Sequence, residues 1–115
     1  MNPLQDLKLS LRQFAQDRDW DQFHFPKNLT MALPAEAGEL TECFQWLTEE
    51  QSQNMSADQK AAAGEEIADV LLYLIRLSDK LDIDVAAAAE EKIKKNAEKY
   101  PIDLAKGNAQ KYDTY

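Results

Sequence analysis

Residues 28–47 read NLTMALPAEAGELTECFQWL. On a helical wheel at about 100° per residue, Leu29, Leu33, Glu36, Leu40, Phe44 and Leu47 fall on one face. Glu39 and Cys43 lie at its margin. A soluble helix turns such a stripe toward the core, so the spacing predicts a helix over Leu29 to about Glu50, with Asn28 as its N-cap. Pro34 predicts a kink or a later start, because it removes a hydrogen bond and clashes with the preceding turn. Two glutamates stand where the periodicity calls for apolar side chains.

Residues 65–77, EEIADVLLYLIRL, repeat the anomaly. Glu66 shares a broad face with Val70, Tyr73, Leu74, Leu77 and Leu81, and Asp69 follows three residues later. Ser56, with Gln59 three residues on, reads as a capping box opening this helix, which ends near Leu81. Leu72 and Ile75 fall nearly opposite the main face. Either the helix is central in the fold or its second face is covered by another subunit; the small size of the domain favours oligomerisation.

Nearer the N-terminus, Leu4, Leu7, Leu11 and Phe14 predict a first helix from Leu4 to Asp17. An aromatic linker, RDWDQFHFPKN, joins it to the second helix. QSQNMSAD reads as a polar break before the third. Asp84 caps a fourth helix, Val85 to about Tyr100, which Pro101 stops. Three glycines and little strand signal give an all-α, four-helix fold. The expected organisation is one domain over 1–115, with a helical core at about 4–100 and a weakly patterned tail, 101–115, lying on the surface or on a partner.

Thirteen basic residues against 21 acidic ones leave a net charge of -8. That disfavours a nucleic-acid partner, which needs a basic footprint, but not a nucleotide whose phosphates are met by metal ions. Cys43 is the single cysteine, so no internal disulfide forms, in keeping with a reducing compartment. The N-terminus lacks the pattern of a secretory signal. The longest apolar run, VLLYLI, is too short to span a bilayer. The expectation is a cytoplasmic protein with no membrane partner.

Glu36 and Glu39, and Glu66 and Asp69, are each three residues apart and project side by side. Facing one another, they would form a cluster of four carboxylates, costly to bury without a cation. Oxygen-only donors point to a hard divalent ion, Mg²⁺ first and Mn²⁺ next. One such pair alone is common in acidic helices; two, each interrupting an apolar stripe, are not. Glu42 and Glu65 lie off these stripes and read as solvated. Gly38 either allows close approach of a neighbour or is incidental.

Other chemistries lack their residues. His24 is the single histidine and lies in the linker, which argues against a di-iron bundle, zinc-hydrolase motifs and a histidine-activated nucleophile. Cys43 reads as core. No P-loop motif is present. An oxygen-lined Mg²⁺ site suits phosphate chemistry, with cations supplied elsewhere. The run EEKIKKNAEKYP places Lys92, Asn96 and Tyr100 at four-residue spacing; Lys92 and Asn96 are expected near substrate. Lys95 and Lys99 read as a solvated stripe paired with Glu91 and Glu98. A flat wall for a base has candidates in Trp20, Phe23, Phe25, Phe44, Trp46 and Tyr73, each of which could equally be core. Trp46, off the main stripe, suits a pocket or an interface. Tyr73 stands one turn beyond Asp69, within reach of a sugar or phosphate. His24 is a linker hydrogen-bonder or a ligand contact.

The pattern Glu36-x-x-Glu39, a spacer, then Glu66-x-x-Asp69 resembles the motif of the MazG-like all-α nucleoside triphosphate pyrophosphatase superfamily. RDWDQFHFPKNL, GELTECFQW, EEIADVLLYLIRL, KNAEKYP and KGNAQKY are similar to its dCTP pyrophosphatase branch, from about Leu11 to Tyr112. The resemblance implies an all-α fold assembled as a dimer or a dimer of dimers. It implies Mg²⁺-dependent cleavage of nucleoside triphosphates between the α and β phosphates. Glu36, Glu39, Glu66 and Asp69 would hold the metal, and Trp20, Trp46, Tyr73, Lys92 and Asn96 would contact substrate. Two departures stand out. Pro34 replaces an ordinary helix former, and Leu11 stands where animal members carry a histidine near the base. The second bears on base selectivity, so dUTP, dTTP or another nucleotide stays beside dCTP as substrate. A related phosphoribosyl-ATP hydrolase and a non-catalytic helical interaction module are the remaining alternatives.

Overall fold

The structure, a computed structural model, describes residues 2–114. Their regular elements are all helical, without strand, and they divide into two compact units, one up to Ile83 and one from Asp84.

In the first unit α1 spans Pro3–Asp17. Its start is set by Asn2, whose side chain accepts from the Gln5 amide at 2.8 Å, and by Pro3 in the first turn. Its end is a left-handed turn. Asp19 has φ 55°, the Asp19 amide donates to the Gln16 carbonyl, and the Trp20 amide reaches back to the Ala15 carbonyl at 2.9 Å. This six-to-one, five-to-two pattern is a Schellman closure, and it delivers Trp20 at a defined place. A 3-10 turn, Asp21–Phe23, follows.

The second helix, α2, spans Pro26–Glu42, and both bounds differ from the expectation. It starts earlier because Pro26 supplies a preset φ at the first helical position, while Phe25 before it is held extended. Asn28 is therefore inside the helix and is not its cap; its side-chain amide donates to the Phe23 carbonyl at 3.0 Å. Pro34 lies within the helix, which continues through it, so no later start occurs. The helix stops at Glu42, short of Glu50, and residues 43–47 form turns. Thr48 and Gln51 then make a reciprocal capping box that opens a separate short helix, α3, Glu49–Gln53. Part of the stretch expected to be a polar break is therefore helical. The competing cap at Thr48 outweighs the continuing apolar period.

The fourth helix, α4, spans Ala57–Lys80. It opens as expected on the Ser56–Gln59 capping box, at 2.8 and 3.1 Å. It closes on a second Schellman pattern with Asp82 at φ 55°, the Asp82 amide on the Asp79 carbonyl and the Ile83 amide on the Ser78 carbonyl. α4 is the centre of this unit and packs against both α2 and α1. Ile75 is 2% exposed and Leu72 half-buried. The face expected to await a second subunit is thus covered within the chain, as the central-helix alternative requires. The apolar residues that α4 leaves exposed are Ile67, Leu71 and Leu74 instead.

The second unit holds α5, Val85–Lys99, capped by Asp84 through the Ala87 amide at 3.1 Å. A short α6, Ile102–Ala105, starts after Pro101, so the tail is more helical than its patterning suggested. Gly107, at φ 82°, takes the left-handed conformation that turns the chain. A 3-10 turn at Tyr112–Thr114 ends the described chain. Tyr100 and Tyr112 meet edge to face at 5.9 Å, and the Lys99 ammonium lies 5.0 Å over the Tyr112 ring.

Candidate metal and substrate site

The apolar stripe of residues 29–47 runs along the seam between α2 and α4. Leu29 is buried, and Leu33, Glu36, Leu40, Phe44 and Leu47 are half-buried. Glu42 and Glu65 are exposed, as read from the wheel. Packing α2 on α4 brings the two acidic pairs together. Glu36, Glu39, Glu66 and Asp69 each offer a carboxylate oxygen, and these oxygens lie within 4.8 Å of one another. Glu36 and Glu66 are half-buried and Glu39 is exposed. Nothing approaches within 4 Å of the place a Gly38 Cβ would occupy, so no neighbour in the structure requires glycine there.

The electrostatics are those of an uncompensated cluster. The Glu36 carboxyl is pushed above its ordinary pKa by burial, then by Glu39 and Asp69. Glu66 is pushed up by burial, then by Glu39, with Asp69 and Glu36 adding to it. One oxygen of Glu66, Oε2, is buried without a hydrogen-bond partner. A buried carboxylate oxygen lacking a donor is a costly feature that a divalent cation would satisfy. The donor set fits: four carboxylates and no nitrogen or sulfur suit a hard ion.

Beside this cluster lies a cavity of about 140 Å³ lined by Leu11, Phe14, Ala15, Trp20, His24, Leu29, Leu72, Tyr73 and Arg76. Three residues expected to contact substrate, Trp20, His24 and Tyr73, therefore converge on one space. Tyr73 links it to the cluster: burial, then the charges of Glu36, Asp69 and Glu39, raise its phenol pKa. Trp20 meets Phe14 edge to face at 5.7 Å and His24 at 6.5 Å. Leu11, the departure noted in the first helix, is part of the cavity wall.

Trp46 does not join this cavity. It sits in the turn after α2, 86% exposed. Phe23 and Phe25 are exposed as well. Lys92 and Asn96 are exposed on α5, in the second unit. The charge of Lys99, then partial desolvation and the charge of Lys95, hold the Lys92 ammonium below its ordinary pKa. Such crowding of like charges favours an anion nearby.

Arg76 escaped the sequence reading. It is 6% exposed. It donates through Nε to His24 Nδ1 at 3.1 Å and through Nη2 to Asp21, with Nη1 3.5 Å from Asp79. Lys80 also reaches Asp21, at 2.6 Å, and Arg12 grips Asp79 with two bonds of 2.6 and 2.8 Å. The linker carrying Trp20 and His24 is thus tied to α4, and α4 to α1. The available signal was a lone charge inside the apolar run VLLYLIRL, which a buried ion pair explains.

The model of the MazG-like family matches residues 32–114. dCTP pyrophosphatase 1 of Mus musculus is 42% identical over 111 residues, covering 95% of this chain and 65% of that protein. The Homo sapiens protein of the same name is 41% identical over 111 residues, with 95% and 65% covered. The chain thus spans just under two thirds of the length of these curated relatives. Among solved structures, a pyrophosphatase from Archaeoglobus fulgidus superposes with a TM-score of 0.81 at 37% identity, covering 88% of this chain and 94% of the other.

Proposed function

The chain belongs to the MazG-like family, in its dCTP pyrophosphatase branch, and from that premise we propose that it hydrolyses a nucleoside triphosphate, dCTP or a modified dCTP first, to the monophosphate and pyrophosphate. The observation that carries this reading is the four-carboxylate cluster, with its orphaned Glu66 oxygen, beside a cavity walled by Trp20, His24 and Tyr73. One feature binds a cation and the other a ring.

Glu36, Glu39, Glu66 and Asp69 would hold Mg²⁺, with Mn²⁺ as a substitute. The ion supplies charge compensation to the phosphates and lowers the pKa of water. The chain's residues do the rest. Trp20 and Tyr73 bound the ring, and His24 offers it a hydrogen bond. Glu36 or Glu39 orients the attacking water and takes its proton. A bond forms from the water oxygen to the α-phosphorus, the bond to the bridging oxygen breaks, and pyrophosphate leaves. Trp46 as a base contact, and Lys92 and Asn96 as phosphate contacts, rest on the family resemblance alone.

We assign the whole chain to one functional domain that works as a homodimer or a dimer of dimers. The apolar trio Ile67, Leu71 and Leu74 exposed on α4 supports a partner surface. Among the described residues no helix is long and apolar enough to cross a membrane; the acidic balance supports a protein that does not bind nucleic acid, and the single cysteine suits a reducing cytoplasm.

The test is pyrophosphate release from dCTP, 5-methyl-dCTP, dUTP, dTTP, dATP, dGTP and the ribonucleotides, each with and without Mg²⁺. Mg²⁺-dependent release of pyrophosphate with the monophosphate is expected, with dCTP or its methyl derivative ranking first. Orthophosphate would mean that a different bond is cut. No release from any of them would favour the interaction module.

A further inference from the structure

The cavity beside the carboxylates has apolar walls, and few of its atoms can read a ligand by hydrogen bonding. Arg76 lines it, yet all three guanidinium nitrogens already face partners: His24, Asp21 and Asp79. That leaves His24 with the Trp20 indole and the Tyr73 phenol. The His24 ring is constrained. An arginine Nε–H only donates, so the His24 Nδ1 it meets at 3.1 Å is an acceptor without a proton. In a neutral imidazole the proton is then on Nε2. The one polar group this ring has left for a bound molecule is a donor.

We propose that Arg76 is a positioning residue that fixes His24 as its Nε2–H tautomer and sets that donor against N3 of a bound pyrimidine, so that the cavity selects a ring with an unprotonated N3, cytosine over uracil or thymine. This rests on the nucleotide pyrophosphatase reading. O2 is an acceptor in every pyrimidine base and does not discriminate; at N3 cytosine presents an acceptor, whereas uracil and thymine carry a proton and set a donor against a donor. A buried donor facing a donor is discriminated far more strongly than a change in apolar shape. The volume, about 140 Å³, suits one ring. The same surroundings keep the imidazole neutral: burial, then Arg76 and Lys80, lower its pKa, and Asp21 alone opposes them. Asp21 is itself shared between Arg76 and Lys80, which limits its pull on the ring.

His24 is the single histidine, so ¹⁵N NMR of the histidine-labelled full chain reads one ring. The parent protein should show a pyridine-like Nδ1 and a pyrrole-like Nε2 at neutral pH. A pyrrole-like Nδ1, or averaged signals, would overturn the proposal whether or not any variant folds. In Arg76→Met the two tautomers should mix, and the dCTP:dTTP ratio of kcat/KM should fall about tenfold, with KM for dCTP moving more than kcat. An unchanged ratio would overturn the proposal. Asp21→Asn, which keeps the Nε donor, should preserve the tautomer and the ratio. If it loses the ratio with the tautomer intact, anchoring of the linker and not the tautomer sets selectivity, and the proposal fails. Should the parent hydrolyse no triphosphate, the pyrophosphatase reading fails separately. dCMP and dTMP titrated onto the labelled protein then decide: a shift of Nε2–H by dCMP alone supports the proposal, and equal shifts overturn it.

Discussion

Glu66 is the side chain on which the site's energetics turn. A carboxylate on the inner face of α4, with one oxygen buried and unpartnered, destabilises the metal-free fold. Replacing it by glutamine removes that charge and its repulsion with Glu39, Asp69 and Glu36. Glu66→Gln is therefore expected to melt at a higher temperature than the parent without divalent ions. It should also lose most of the rise in melting temperature that Mg²⁺ gives the parent. Thermal melts with and without Mg²⁺ check both, and a lower metal-free melting temperature would contradict the buried cluster. Turnover moves the other way. Glu36→Gln, Glu39→Gln, Glu66→Gln and Asp69→Asn should each lower kcat by ~100-fold or more, the range for electrostatic and acid–base roles, as steady-state pyrophosphate release would show.

Among the elements, the ends of the helices carry as much information as their faces. α1 and α4 both close with an aspartate in the left-handed region, Asp19 and Asp82, where glycine is the unstrained choice. Asp82→Gly should raise stability by ~1 kcal/mol or less, read from urea unfolding. Ser56→Ala, which opens the capping box of α4, should cost ~0.5–2 kcal/mol in the same assay. The tie between α1 and α4 predicts a pH dependence. Asp79 has its pKa lowered, first by the Arg12 hydrogen bond, against the opposing effect of burial. A carboxyl with a folded pKa below its unfolded one adds stability that is full above the unfolded value and is lost as pH falls through the folded one. Arg12→Met should therefore melt below the parent near neutral pH, and the gap should close as pH falls below Asp79's ordinary 3.8. A constant gap would show that Arg12 acts through packing alone.

At the scale of the molecule, α4 is central to the first unit yet leaves Ile67, Leu71 and Leu74 exposed. If that face joins two copies, Leu71→Lys should lower the mass seen by sedimentation equilibrium while leaving helical circular dichroism nearly unchanged. An unchanged mass would move the interface elsewhere. The amino-acid order was enough for the all-α class, the capped start of α4, Asp84 as the cap of α5, and the two acidic pairs that the fold brings together. Helical period and capping are local rules, and acidic pairs interrupting an apolar stripe are visible without a neighbour. It misplaced the bounds of α2, because a proline at a first turn and a second capping box at Thr48 compete with an apolar period that runs on past both. Which face of α4 is covered in the chain is legible from the tertiary structure alone. Only it showed that Trp20, His24 and Tyr73 share a cavity while Trp46 stands apart, and that a buried Arg76 holds His24. Those facts depend on residues some 50 positions apart, such as His24 and Arg76, which are 52 apart. Periodicity reports which side of a helix is apolar; only packing settles what that side meets.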